Sequence, residues 1–184
     1  MASAPDYLSL QQFEQLYEKA KPHYEYWFGE VIQKPMPTSL HGLVQLVLGM
    51  LLLKRGWYAG SEVRLKISAL AHPVPDLVAS SMPLETPYPE KPVELCVEIL
   101  SPDDILRNVF RKSAHYLDWQ ISDVWIIDPE KRTAYSMSLT NPQPVELAKS
   151  DSLTAGSGDR AIKIPLAELF SELDQYLGKN SEAR

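Results

Sequence analysis

One charged residue inside an apolar run constrains this chain more than any other feature. The run Val93 to Leu100 is almost wholly apolar apart from Glu94 and Glu98, the pattern of a strand covered on both faces and central in its sheet. A carboxylate inside such a strand costs several kcal/mol unless a cation, a metal or a hydrogen-bond donor compensates it. Something positive is therefore expected to face Glu98. Val124-Trp125-Ile126-Ile127-Asp128 reads as another buried strand, and strand-like runs at Trp57 to Ser61, Val63 to Ser68 and Pro75 to Ala79 offer it neighbours.

Helical patterns lie between these runs. Ser9-x-x-Gln12 is a capping box opening a helix in which Leu10, Phe13, Leu16 and Tyr17 recur at helical spacing, and the helix is expected to end near Lys21-Pro22. After Thr38 and Ser39, both good N-caps, Leu40 to Lys54 carries Leu, Val and Met around nearly its whole circumference. That helix is buried on most sides or packs against a second subunit. Asp103 or Asp104 is expected to cap a helix reaching about Trp119. Tyr24 to Ile32, with Gly29 in its middle, predicts a tight hairpin, and Asp128-Pro129-Glu130-Lys131 leads into a strand over Thr133 to Ser138. Beyond Leu139 the chain is turn-rich, with a strand at Ala161 to Ile164 and a short helix from Pro165 through Phe170.

With 184 residues, 45% hydrophobic and 23% charged, a single domain over 1–184 is expected, with loose ends at Met1 to Asp6 and Asn180 to Arg184. No apolar run reaches the ~20 residues a bilayer needs and no leader pattern opens the chain, so a cytoplasmic protein without membrane contact is expected. Cys96 is the only cysteine, which excludes an internal disulfide and a Cys-rich zinc site. The net charge of −6 supplies no global attraction to nucleic acid. Any such function must come from a local basic patch or from metal ions.

Three ionisable residues stand where the pattern calls for apolar ones: Asp76 at the start of a short apolar strand, Glu98, and Lys112. On a helical wheel Leu106, Phe110, Ser113 and Leu117 form the buried face, and Lys112 lies beside Val109 and Tyr116 at its border, about 20° from Ile105. Its ammonium can reach over the edge of the sheet, while Arg107 and Arg111 point to solvent. Two carboxylates on neighbouring strands with a lysine directed at them are what metal-dependent phosphodiester hydrolysis needs. Hard oxygens hold Mg²⁺ while leaving waters on it, the metal acidifies one water, and the lysine stabilises developing charge.

Tyr24-Glu25 with Gly29-Glu30, His41 opening an apolar helix, Pro75-Asp76, Val97-Glu98-Ile99-Leu100-Ser101-Pro102, Lys112 with Tyr116, and Val124-Trp125-Ile126-Ile127-Asp128-Pro129 follow one another in this order. In this the chain resembles the Uma2 family of restriction-endonuclease-like proteins, over roughly Leu8 to Met137. The resemblance implies an α/β (α+β) fold of the PD-(D/E)xK nuclease type, a mixed sheet flanked by helices, with Asp and Glu on adjacent strands as metal ligands. The familiar pattern puts the lysine two residues after the acid, where Leu100 stands; the family places it on the next helix, at Lys112. The implied site is Asp76, Glu98 and the Ile99 carbonyl on Mg²⁺ or Mn²⁺, Lys112 assisting the attacking water, and Glu25 as a supporting acid. DNA is the implied substrate, and a homodimer would set two such sites on one duplex.

Other readings stand beside these. Asp76 taken alone reads as a strand-start aspartate bonding a backbone amide. Glu98 and Lys112 can form an internal structural pair in a non-catalytic module that binds nucleic acid or protein. Glu25 can be an exposed strand residue between Tyr24 and Tyr26. His41 is expected to meet backbone or solvent, and His23, His72 and His115 to lie at the surface. Arg64 and Lys66 alternate with Leu65 and Ile67, which marks a solvated strand face from which phosphates could be reached. Trp27, Trp57, Trp119 and Trp125 are expected in the core or at an interface.

Overall fold

The two apolar runs that dominate the sequence lie side by side in the middle of a sheet. The computed structural model describes residues 7–178, so the ends expected to be loose fall outside the described residues. In chain order the elements are α1 (Leu10–Tyr17), β1 (Tyr24–Trp27), β2 (Glu30–Gln33), α2 (Ser39–Lys54), β3 (Tyr58–Ser61), β4 (Ala71–His72), β5 (Leu77–Ser80) and β6 (Leu95–Ile99). They continue with α3 (Leu106–Asp118), β7 (Asp123–Asp128), β8 (Thr133–Ser138), β9 (Val145–Leu147), β10 (Ser152–Ala155), β11 (Ile162–Pro165) and α4 (Leu166–Tyr176).

A six-stranded mixed sheet in the order β3-β5-β6-β7-β8-β9 forms the body. Its one parallel pair is β6 with β7, joined through α3 as a strand-helix-strand crossover, and every other pair is antiparallel. Period-two alternation then divides the side chains between two cores. Leu95, Val97, Ile99, Trp125 and Ile127 pack with α2, α4 and the β10/β11 hairpin. Cys96, Val124, Ile126 and Met137 pack with Tyr116 and Leu117 of α3, together with Trp27 and Leu65. Both faces of β6 and β7 are covered, which is why neither strand needs an alternating sequence.

Local chemistry accounts for the helix starts. The Ser9 box closes as expected, with the Ser9 hydroxyl accepting from Gln12 N–H and the Gln12 side chain accepting from Ser9 N–H. The Thr38 hydroxyl caps α2 by accepting from His41 N–H at 3.1 Å. The β1/β2 hairpin turns through Phe28 and Gly29, both with positive φ, and Gly29 at φ +99° takes a conformation that other residues adopt at a cost.

Several local expectations are corrected. The first helix ends at Tyr17, short of Lys21-Pro22. Residues 63–68 form no strand, and Arg64 is buried instead of solvated: its guanidinium donates to the His72 carbonyl and lies over the Phe13 ring. Lys66 is tied to Glu14 and Glu18 of the first helical segment. These cations serve the packing of α1 against the sheet edge and are not a phosphate-facing surface. His72 is buried as well, because β4 pairs with β1 and carries it beneath α1. Neither Asp103 nor Asp104 caps α3: the N-cap is Ile105, and Asp104 accepts from Ser101 N–H one turn earlier. The last helix runs to Tyr176, and β9 and β10 lie in the stretch that reads as turns.

Candidate functional site

Strand parity decides which face of the sheet carries the chemistry. Glu98 has the parity of Cys96 and Leu100, both of which belong to the core on the α3 side, so its carboxylate faces α3. In the β5/β6 register Leu77 pairs with Val97 and Val78 with Cys96; one further step sets Asp76 opposite Glu98 on the same face. Asp76 Oδ2 accepts from the Ile99 N–H at 2.7 Å. A strand residue sends its N–H and C=O to the same edge, so the Ile99 carbonyl also lies on the Asp76 side. Asp76 is thus a strand-start aspartate bonding a backbone amide and, at the same time, a neighbour of Glu98.

The cation expected opposite Glu98 is Lys112. Its Nζ lies 3.0 Å from Glu98 Oε1 and 3.0 Å from Glu25 Oε1. One helical turn on, the Tyr116 hydroxyl donates to Glu98 Oε1 at 2.6 Å. Glu25 is buried on β1, where its Oε1 accepts from Val74 N–H at 2.7 Å and its Oε2 from the Trp27 indole N–H at 3.1 Å. The exposed-strand reading of Glu25 is therefore wrong: β4 and the segment after it close over β1.

On the other side of Asp76 stand His41 and three residues that sequence reasoning missed, Lys34, Glu62 and Gln45. Lys34 Nζ lies 2.8 Å from Asp76 Oδ1 and 2.9 Å from Glu62 Oε2. His41 is buried, and its Nε2 lies 3.4 Å from Asp76 Oδ1, contrary to the expectation that it meets backbone or solvent. Gln45, one turn further along α2, donates to Glu62 Oε1 at 2.9 Å and to the Asp76 carbonyl at 3.0 Å. Lys34 and Glu62 leave no periodic signal: one follows a hairpin strand, the other sits in a turn at φ +54°. His41 and Gln45, four apart on one helix, were the readable hint.

Glu25, Lys34, His41, Glu62, Asp76, Glu98 and Lys112 line one cleft, which also takes in Ser101 and Val109 and has a volume of about 170 Å³. Its electrostatics follow from burial. Burial pushes Glu98 up to about 7, with Asp76 and Glu25 adding to the shift and Lys112 opposing it. For Asp76 burial also works against the charge, yet the His41 hydrogen bond and the Lys34 ammonium outweigh it and hold the carboxyl below its ordinary value. Burial disfavours the Lys112 ammonium, but Glu25 and Glu98 more than compensate and raise it above the usual lysine value. Lys34 is raised too, its burial overcome chiefly by Asp76. Four carboxylates, Glu25, Glu62, Asp76 and Glu98, thus meet two ammonium groups, and Asp104 lines the same cleft, so acidic groups outnumber the ammonium groups even where Glu98 is protonated. Hard oxygens with that excess suit one divalent cation. One ligand atom each from His41, Glu62 and Asp76 also lie within 4.8 Å of one another.

The family model described as "Putative restriction endonuclease", Uma2, matches residues 10–162. The chain belongs to the Uma2 family. The Uma2 match includes every residue of the cleft named above. The fold is similar to the crystal structure of "a putative nuclease belonging to DUF820" from Anabaena variabilis ATCC 29413, with a TM-score of 0.72 and 25% identity over 90% of this chain and 99% of that one. No curated protein matches the chain. The restriction-endonuclease-like mixed sheet flanked by helices is therefore the fold of this Uma2 protein. Leu100 shares the face of Glu98 and is buried, so in this Uma2 chain the amine arrives from α3 and not from β6.

Proposed function

We propose that the protein is a divalent-metal-dependent endonuclease that hydrolyses phosphodiester bonds in DNA. The observation that carries this reading is the meeting of Asp76, Glu98, Glu25 and Lys112, from three strand segments and a helix, in one cleft where acidic groups outnumber ammonium groups. Uma2 membership supports nuclease chemistry, as does the likeness to the Anabaena protein, itself described as "a putative nuclease".

Asp76, Glu98 and the Ile99 carbonyl would hold Mg²⁺ or Mn²⁺. When bound, such an ion supplies a Lewis acid and a water of lowered pKa. Lys112 keeps its proton, because Glu25 and Glu98 stabilise the ammonium. It is therefore no general base; it donates hydrogen bonds toward the attacking water and the oxygens on which negative charge grows. Glu25 fixes Lys112 Nζ from the β1 side, and the Ile99 amide fixes Asp76 Oδ2.

No helix among the described residues is long and apolar enough to cross a membrane, and the proposed setting is the cytoplasm, with a buried free thiol at Cys96. The proposed assembly is a homodimer through the outer side of α2, where Leu46 and Leu53 are exposed with Met50 between them.

Plasmid nicking by the purified protein tests the reading. Nicking is expected with Mg²⁺ or Mn²⁺, is abolished by EDTA, and falls by at least ~10²-fold in E98Q and K112M variants that keep the native circular dichroism spectrum. A protein that neither nicks DNA nor releases heat on Mn²⁺ titration is instead a non-catalytic module in which Lys112 serves only as an internal partner of Glu98.

A further inference from the structure

We propose that Lys34 is a built-in cation standing where a second metal ion would bind, so that the site takes one divalent ion per chain. The first ion rests on the metal reading above; the role of Lys34 rests on its own contacts.

A lysine ammonium has three donors and no more. Lys34 donates to the Val74 carbonyl and to Asp76 Oδ1, both at 2.8 Å, and its Nζ forms an ion pair with Glu62 Oε2 at 2.9 Å. Three oxygens of the protein itself thus surround this ammonium, on a side chain that is only 13% exposed. The main chain at this position is held as well, since the Lys34 backbone N–H donates to the His23 carbonyl at 2.9 Å. The charge is therefore stationary, and its position is defined by acceptors of the kind a metal takes. Asp76 and Glu62 there, with His41, bring three ligand atoms within 4.8 Å of one another.

Two-metal phosphodiester sites keep their ions about 4 Å apart, commonly with a carboxylate between them. Asp76 has that position here: Oδ1 faces Lys34 and His41, and Oδ2 faces the Ile99 edge beside Glu98. The ammonium takes the Oδ1 side and leaves the Oδ2 side. Gln45 holds Glu62 and the Asp76 backbone independently of Lys34, so the acceptors keep their places when the ammonium is removed.

Counting bound Mn²⁺ by calorimetry and by the electron paramagnetic resonance of the free ion tests this. Wild type is expected to bind one Mn²⁺ per chain, K34M two, and K34R one, because the guanidinium retains the charge. Adding E62Q to K34M should return the count to one. If K34M does not fold, K34Q removes the charge while keeping a polar side chain, and two ions are again expected. Two ions in the wild type, or one in the wild type and still only one in a folded K34M or K34Q, overturns the proposal. No ion in the wild type but one in K34M sinks the Asp76/Glu98 metal reading while upholding the role of Lys34; no ion in either sinks both.

Discussion

Lys112 Nζ and Glu98 Oε1 meet at 3.0 Å beneath α3, and the same ammonium reaches Glu25 Oε1 on β1 at 3.0 Å. One cation thus ties the central strand of the large sheet to the small β2-β1-β4 sheet. Both carboxylates are buried, so the pairing carries the energetics of an interior ion pair and not of a surface one.

Removing that cation should unfold the metal-free protein more easily. K112M is expected to lose about 3 kcal/mol in urea unfolding with EDTA at pH 8, because two buried carboxyl groups lose their shared counter-ion. Adding E98Q to K112M should recover part of the loss, and a saturating divalent ion should recover part of it in the single variant. Equal stability of K112M and wild type would contradict the ion-pair geometry.

The buried His72 makes stability depend on pH. Burial lowers it to about 4, against the opposing pull of Glu14 and with Lys66 and Arg64 adding to the lowering. Below the ordinary histidine value of 6.5 the unfolded chain binds a proton that the folded ring refuses until about pH 4. The unfolded state therefore gains, and stability falls as pH drops through that window by up to about 3 kcal/mol. Denaturant titrations of wild type and H72F at pH 7 and pH 4.5 read this directly. The variant, which also removes a buried Nδ1 without a hydrogen-bond partner, should show the shallower pH dependence.

The hairpin carrying Glu25 depends on Gly29. At φ +99°, a methyl group there would come within 2.8 Å of the Tyr7 ring, so G29A is expected to cost about 1–2 kcal/mol through backbone strain and the shift forced on Tyr7. Thermal unfolding measures the loss. A mutation with no effect would mean that the turn relaxes without disturbing β1.

Self-association through α2 has a separate test. Leu46, Met50 and Leu53 fall at helical spacing on one side, and Leu46 and Leu53 are more than half exposed. Sedimentation of the wild type at several concentrations should give a dimer, and L46E/L53E a monomer of unchanged fold. A wild type that stays monomeric at the highest concentration removes the homodimer.

Whatever depends on near neighbours along the chain was legible before any fold was known. Capping chemistry at Ser9 and Thr38, the apolar runs that became β6 and β7, and the placement of Lys112 beside Tyr116 follow from spacing within one element. Glu98 was conspicuous because a charge within a doubly covered strand demands a partner. Which groups share the cleft is a matter of long-range packing. Lys34 and Glu62 lie outside any periodic stretch, and they reach Asp76 only because the hairpin, the edge strand β3 and the start of β5 converge at one end of the sheet. Pairing of β4 with β1 beneath α1 likewise buries His72 and Arg64, the latter in a stretch whose alternation suggested solvent. Periodicity reports which side of an element is apolar, whereas what covers that side is set by strand order and crossovers between distant segments.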